Sequence, residues 1–102
     1  MAKISLIAKL PCNEGMNDEF EAALANLIEA SNEEAGLEIY SAHRANDSND
    51  YYFFELYADD DALAVHGKGA TMKSAMGALG PFLAGRPEVT LMTPVVAKGL
   101  EV

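Results

Sequence analysis

From Lys3 to Leu10 the chain alternates, with Ile4, Leu6, Ala8 and Leu10 on one side and Lys3, Ser5, Ile7 and Lys9 on the other. A repeat of two is that of an extended strand, whose successive side chains point to opposite faces. Pro11, Cys12, Asn13, Glu14 and Gly15 break the alternation, and apolar residues return at Met16, Phe20, Ala23, Leu24, Leu27 and Ile28. This helical spacing predicts an amphipathic helix from about Asn17 to Glu34. Asn17 is placed as its N-cap, Asp18 and Glu19 put negative charge where the helix dipole favours it, and Gly36 is placed to end it.

Glu38 to Arg44 and Tyr51 to Ala58 are strand-like, and Asn46 to Asp50 between them are turn formers, which predicts a hairpin. Asp59, Asp60 and Asp61 then offer an N-cap and an acidic first turn to a short helix carrying Ala62, Leu63, Val65 and His66, closed by Gly67 and Gly69. Met72, Ala75, Met76, Leu79, Phe82 and Leu83 resume helical spacing, with Gly80-Pro81 breaking the last turn. A last strand is expected over Val89 to Ala97. Pro94 removes a ladder donor, so that strand belongs at an edge or carries a bulge.

With the two later helices counted as one crossover, the order is βαββαβ, that of an α+β, ferredoxin-like fold with an antiparallel sheet. No repeat or linker interrupts residues 1–102, which read as one domain. Tyr51 to Tyr57 is apolar or aromatic on both faces, although helices in this topology cover only one. A second copy of the same sheet is the simplest cover, so a homodimer is expected.

Composition narrows the function classes. The 102 residues carry 16 Asp+Glu against 7 Lys+Arg, a formal charge of −9. With no Lys/Arg cluster to displace counterions, nucleic acid is not an expected partner. Apolar runs fall well short of a bilayer span and no basic amphipathic helix is present, so no membrane role is expected. The single Cys12 has no partner for an internal disulfide, and the first residues lack a secretory h-region; a cytoplasmic location is expected.

Five segments resemble one family. Gly15 before the long helix, Glu34-Ala35-Gly36, Tyr40, Phe54-Glu55-Leu56-Tyr57 and Ala62-Leu63-Ala64-Val65-His66 are similar, in order and spacing, to the antibiotic biosynthesis monooxygenase domain. The resemblance spans nearly the whole chain. It implies a dimeric α+β barrel with a pocket between sheet and helices in each subunit. Some members use that pocket to oxygenate aromatic polyketides or quinols without metal, flavin or haem; others are isomerases or have no assigned activity. The chain departs from the family pattern in three places: Ala35 replaces a proline, Tyr57 stands where Trp is usual, and Thr71-Met72-Lys73 replaces a frequent second His. The pattern of the haem-degrading relatives is absent: the first strand has no Asn, His66 is not Trp, and Met76 stands where their His would be.

Glu55 is the sharpest candidate residue. Alternation puts this carboxyl on the same face as Tyr51, Phe53 and Tyr57, where burial raises its pKa unless a donor satisfies it. It suits proton exchange with a phenolic substrate, or a structural hydrogen bond to a helix, loop or partner subunit. His66 is the candidate general base, its ring expected by resemblance to point toward the pocket or toward Glu55; otherwise it holds a carbonyl or Glu55 in place. His43 on the second strand is a weaker candidate. Tyr40 and Tyr57 are candidate pocket liners, and Met72 and Met76 a soft pocket wall, although aromatic and Met residues at such spacings also build cores. No spacing suits a metal site. Gly67-Lys68-Gly69-Ala70 lacks the spacing of a phosphate loop. The expected function is a cofactor-free monooxygenase using molecular oxygen on a quinol-like or polycyclic aromatic molecule. The alternatives are an isomerase of small oxo compounds and a non-catalytic dimeric ligand-binding or stress protein.

Overall fold

The structure is a computed structural model that describes residues 2–66 and 68–102. It contains β1 (Ile4–Pro11), α1 (Asn17–Ser31), β2 (Leu37–Arg44), β3 (Asp50–Tyr57), α2 (Asp60–Val65), α3 (Ala70–Gly77), a 3₁₀ turn (Gly80–Phe82) and β4 (Glu88–Met92). The four strands form one antiparallel sheet in the order β2-β3-β1-β4. This is the α+β, ferredoxin-like arrangement that the hydrophobic pattern predicts.

The register explains why one face is core. In β1–β3 pairing Ile4 opposes Tyr57, Leu6 opposes Glu55, Ala8 opposes Phe53 and Leu10 opposes Tyr51, so these residues share a face. Phe20, Ala23, Leu24, Leu27 and Ala30 of α1, Ala62 of α2 and Met72 of α3 join that face in a single hydrophobic cluster. Phe20 packs edge-on against Tyr51, ring centroids 4.9 Å apart, and is fully buried. The opposite face carries Ile7, Phe54, Tyr52 and Ile39, which no helix covers; Ile7 is 39% and Tyr52 36% exposed.

Several local expectations are corrected. Met16, not Asn17, occupies the N-cap of α1, and it makes no side-chain cap. Asn17 is instead the first helical residue, its amide donating to the Tyr51 hydroxyl at 3.0 Å and to Asn49 at 3.4 Å. Helix α1 ends at Ser31 rather than Glu34, with Asn32 at the C-cap. Gly36 therefore does not close it, and its φ is not positive. Glycine is needed there because a Cβ would lie 2.5 Å from the Cβ of Ala62. His66 leaves helical geometry just after α2, at φ −60° and ψ 131°, and Gly67 lies outside the described residues. Strand β4 ends at Met92, short of Pro94, whose missing N–H suits the residues beyond the ladder; β4 is an edge strand as expected. The triple aspartate acts as predicted, with Asp59 Oδ1 accepting the Ala62 N–H at 2.9 Å.

The Gly36–Ala62 contact yields a test. Gly36→Ala is expected to lower the unfolding free energy by about 1–3 kcal/mol through overpacking. Gly77→Ala, in the last turn of α3 with nothing within 4 Å of the added methyl, is expected to be neutral or to stabilise by up to ~1 kcal/mol. Urea denaturation of both variants measures the contrast, and equal effects would contradict it.

Candidate functional site

Four elements deliver side chains to one point under the sheet. Strand β3 supplies Glu55 and Tyr57, two residues apart and hence on the same helix-facing side. Strand β2 places Tyr40 directly opposite Glu55 in the ladder. Helix α2, capped by Asp59, carries the chain to His66. The turn between α1 and β2 brings Glu34, which the sequence places at the end of the first helix and in a family motif but not in the site.

The imidazole sits between two carboxyl groups. His66 Nδ1 is 2.7 Å from Glu34 Oε1, and Nε2 is 3.7 Å from Glu55 Oε1. The first is a hydrogen bond and the second is beyond hydrogen-bond length. The Tyr57 hydroxyl donates to that same Glu55 oxygen. The rings of Tyr40 and Tyr57 flank the imidazole edge to face, each with its centroid 5.5 Å away, and Tyr40 also stacks on Phe53 at 4.6 Å. Little of the cluster meets solvent: the side chains of Glu34 and His66 are 12% exposed and that of Glu55 7%.

Burial dominates the electrostatics. Loss of solvent raises the Glu55 carboxyl above the usual carboxylate range and the Glu34 charge adds to this; the Tyr57 hydroxyl and His66 pull the other way. The Tyr57 hydroxyl is raised well above the ordinary phenol range, first by burial and then by its hydrogen bond to Glu55. Tyr40 is raised by burial and by the charges of Glu55 and Glu34. Both phenols therefore stay protonated, and Tyr57 donates its hydrogen to Glu55. Among the described residues no three His, Cys, Asp or Glu side chains are placed to hold a metal ion.

The other expected site residues lie elsewhere. His43 opposes Tyr52 on the uncovered face, exposed and hydrogen-bonded to Ser41 Oγ at 2.9 Å, so the sheet separates it from His66. Met72 is 2% exposed within the core and Met76 packs half-buried against it. Two open grooves meet at Glu34. One, of ≈ 390 Å³, is lined by Ile28, Leu37, Tyr40 and Glu38 among others; the second, of ≈ 550 Å³, by Val65, Lys68 and Met72 among others. Cys12 is buried, its thiol pushed up by burial, and takes no part.

With the geometry in hand, the comparisons identify the family. A sequence model described as antibiotic biosynthesis monooxygenase matches residues 3–78. The chain belongs to this family. A Caulobacter crescentus CB15 protein, provisionally named an antibiotic biosynthesis monooxygenase, is 31% identical, with 93% of this chain and 92% of that one covered at a TM-score of 0.87. A Pseudomonas aeruginosa protein is 24% identical over 94% and 97% of the two chains at a TM-score of 0.81. A conserved protein of Methanosarcina mazei Go1 is 22% identical over 90% and 92% at 0.83. These last two share the fold. No functionally curated protein matches the chain.

The raised Glu55 carboxyl makes stability depend on pH. In the unfolded chain Glu55 ionises near its ordinary value of about 4.3, and in the folded protein only at higher pH. Its contribution is therefore complete below about pH 4.3 and is lost as pH rises through the folded value. Glu55→Gln lacks this step. The difference in melting temperature, wild type minus Glu55→Gln, is expected to be largest near pH 4 and to shrink toward pH 8 in calorimetric scans. A difference that grows with pH would refute the assignment.

Proposed function

We propose that the protein is a cofactor-independent monooxygenase acting on a quinol-like or polycyclic aromatic substrate, with His66 as general base. The observation that carries this reading is an imidazole with one nitrogen tied to a carboxylate, the other free of hydrogen bonds, and a phenol ring on either side. Such a surround favours a flat aromatic molecule and provides a group to take its acidic proton. Tyr40, which lines a groove beside Glu34, orients the ring system; Tyr57, fully buried, holds Glu55, which exchanges or shares the proton.

The electrons come from the substrate. For an anthrone, His66 Nε2 takes the proton of the acidified CH₂ or of its phenol tautomer, leaving a delocalised carbanion. That anion reduces molecular oxygen by one electron, and the resulting radical pair closes a C–O bond to give a peroxide anion. His66 returns its proton to that anion to give the hydroperoxide; its Nε2 then removes the second proton from carbon as the O–O bond breaks, giving the carbonyl and hydroxide, which takes that proton from His66 to leave as water. One oxygen atom ends in the product and one in water, with no external reductant. The protein contributes orientation and a site largely closed to water, as the low exposure of Glu34, Glu55 and His66 indicates.

We place this site in a homodimer whose two sheets meet through the uncovered face. Ile7 and Tyr52 lie on that face with Phe54 and Ile39, and this exposed apolar area supports the reading. Light scattering is expected to give the mass of two chains, and Ile7→Glu with Tyr52→Glu that of one.

Oxygen uptake tests the chemistry. Metal-stripped protein is expected to consume oxygen with anthrones, dihydroxynaphthalenes or quinols, and His66→Ala to lower the rate about 10²–10⁴-fold. Exchange of substrate protons with solvent but no oxygen uptake would assign an isomerase of small oxo compounds instead. Loss of thermal stability in Glu55→Gln and His66→Ala, with no turnover in wild type, would mark a binding protein.

A further inference from the structure

The oxygenase reading gives His66 a proton to accept and leaves Glu34 without a task. Glu34 lies outside any helix or strand, yet its side chain is 12% exposed and its Oε1 is 2.7 Å from His66 Nδ1. Its second oxygen, Oε2, is buried with no hydrogen-bond partner among the described residues. Leaving a buried acceptor unpaired is unfavourable, more so when it is charged. A carboxylate kept at that cost, with its one hydrogen bond spent on a ring nitrogen, is placed for what it does to the ring.

We propose that Glu34 is a positioning residue for His66: it accepts the Nδ1–H, fixes the tautomer whose lone pair is on Nε2, and stabilises the imidazolium formed when Nε2 takes a proton. This role rests on the reading of His66 as a base. The chemistry follows from the donor inventory. A neutral imidazole has one N–H and one lone pair, and an ionised carboxylate only accepts, so a 2.7 Å contact at Nδ1 places the hydrogen there. Nε2 then carries the lone pair, 3.7 Å from a Glu55 oxygen already engaged by Tyr57, and hence open to a substrate proton. The groups facing the ring are Glu34 from the turn after α1, Glu55 and Tyr57 from β3, and Tyr40 from β2; Lys68, two residues on, is exposed. The same division of labour, an acceptor at one imidazole nitrogen and proton transfer at the other, operates in hydrolase triads.

Glutamine separates positioning from mere structure. Its amide matches glutamate in shape, so a structural hydrogen bond tolerates Glu34→Gln better than Glu34→Ala. An amide N–H donating to Nδ1 moves the ring hydrogen to Nε2, so a positioning role makes Gln the more damaging change. The ¹⁵N spectrum of neutral His66 in the substrate-free wild type is expected to show a protonated Nδ1 and an unprotonated Nε2, reversed in Glu34→Gln. With substrate, kcat for oxygen uptake is expected to fall about 10²–10⁴-fold in Glu34→Gln, less in Glu34→Ala, with KM little changed. A wild-type spectrum with the hydrogen on Nε2, or a Gln variant as active as wild type, overturns the proposal. The wild-type spectrum needs neither a variant nor turnover. A protonated Nδ1 in a protein that consumes no oxygen would thus refute the oxygenase reading and leave the Glu34–His66 geometry standing.

Discussion

A carboxyl group inside an apolar layer must find donors there, and Glu55 imposes that demand on everything around it. It sits on a strand paired on both sides, facing the helices between Phe53 and Tyr57, with 5% of its surface exposed. Neither neighbouring strand can move without breaking a ladder, so the donors have to come to it. One is the Tyr57 hydroxyl, delivered by the same strand's alternation. His66 provides the second polar neighbour, and for its ring to arrive the short helix α2 must cross the α1–β2 turn closely enough that only glycine fits at position 36. Burial of one carboxyl thus accounts for a tyrosine, a histidine, a glycine and the path of a helix.

The periodic parts of this architecture are legible in the sequence because period encodes facing. Alternation in β1 and β3 assigns the core face correctly and places Glu55 and Tyr57 side by side; the 3.6-residue repeat does the same for Phe20, Leu24 and Leu27. His43 belongs to the same logic, since the alternation that turns Tyr40 and Ala42 inward turns His43 outward. Glu34 is beyond such reasoning. It lies in a turn, where no period constrains direction, and its partner is 32 positions away in sequence. Asn17 shows a related limit: a good capping residue sits one position inside the helix, its amide N–H donating to the Tyr51 hydroxyl of a distant strand.

The family shares a scaffold more widely than a reaction, and this chain shows how the two separate. The sheet, the long helix and the capped short helix depend on apolar spacing and a few turn residues, and a protein with 22% identity shares the fold. The polar cluster depends on a few particular side chains, with His66 held between the rings of Tyr40 and Tyr57. The Tyr57 hydroxyl reaches Glu55 and so couples the aromatic wall to the buried carboxyl.

Helix α2 also has the geometry of an arm. Its root is the Asp59 cap together with the Ala58 N–H bonded to the Gly36 carbonyl at 2.9 Å, and its far end carries His66, held there by Glu34. Six residues at about 1.5 Å each give an arm of roughly 9 Å. A tilt of about 5° at the root therefore moves the imidazole by ~0.8 Å, which is the gap between the 3.7 Å separation of Nε2 from Glu55 and a hydrogen bond of about 2.9 Å. The angle at which α2 leaves its cap thus sets whether the two groups are in proton contact, and the tight Gly36–Ala62 approach holds that angle.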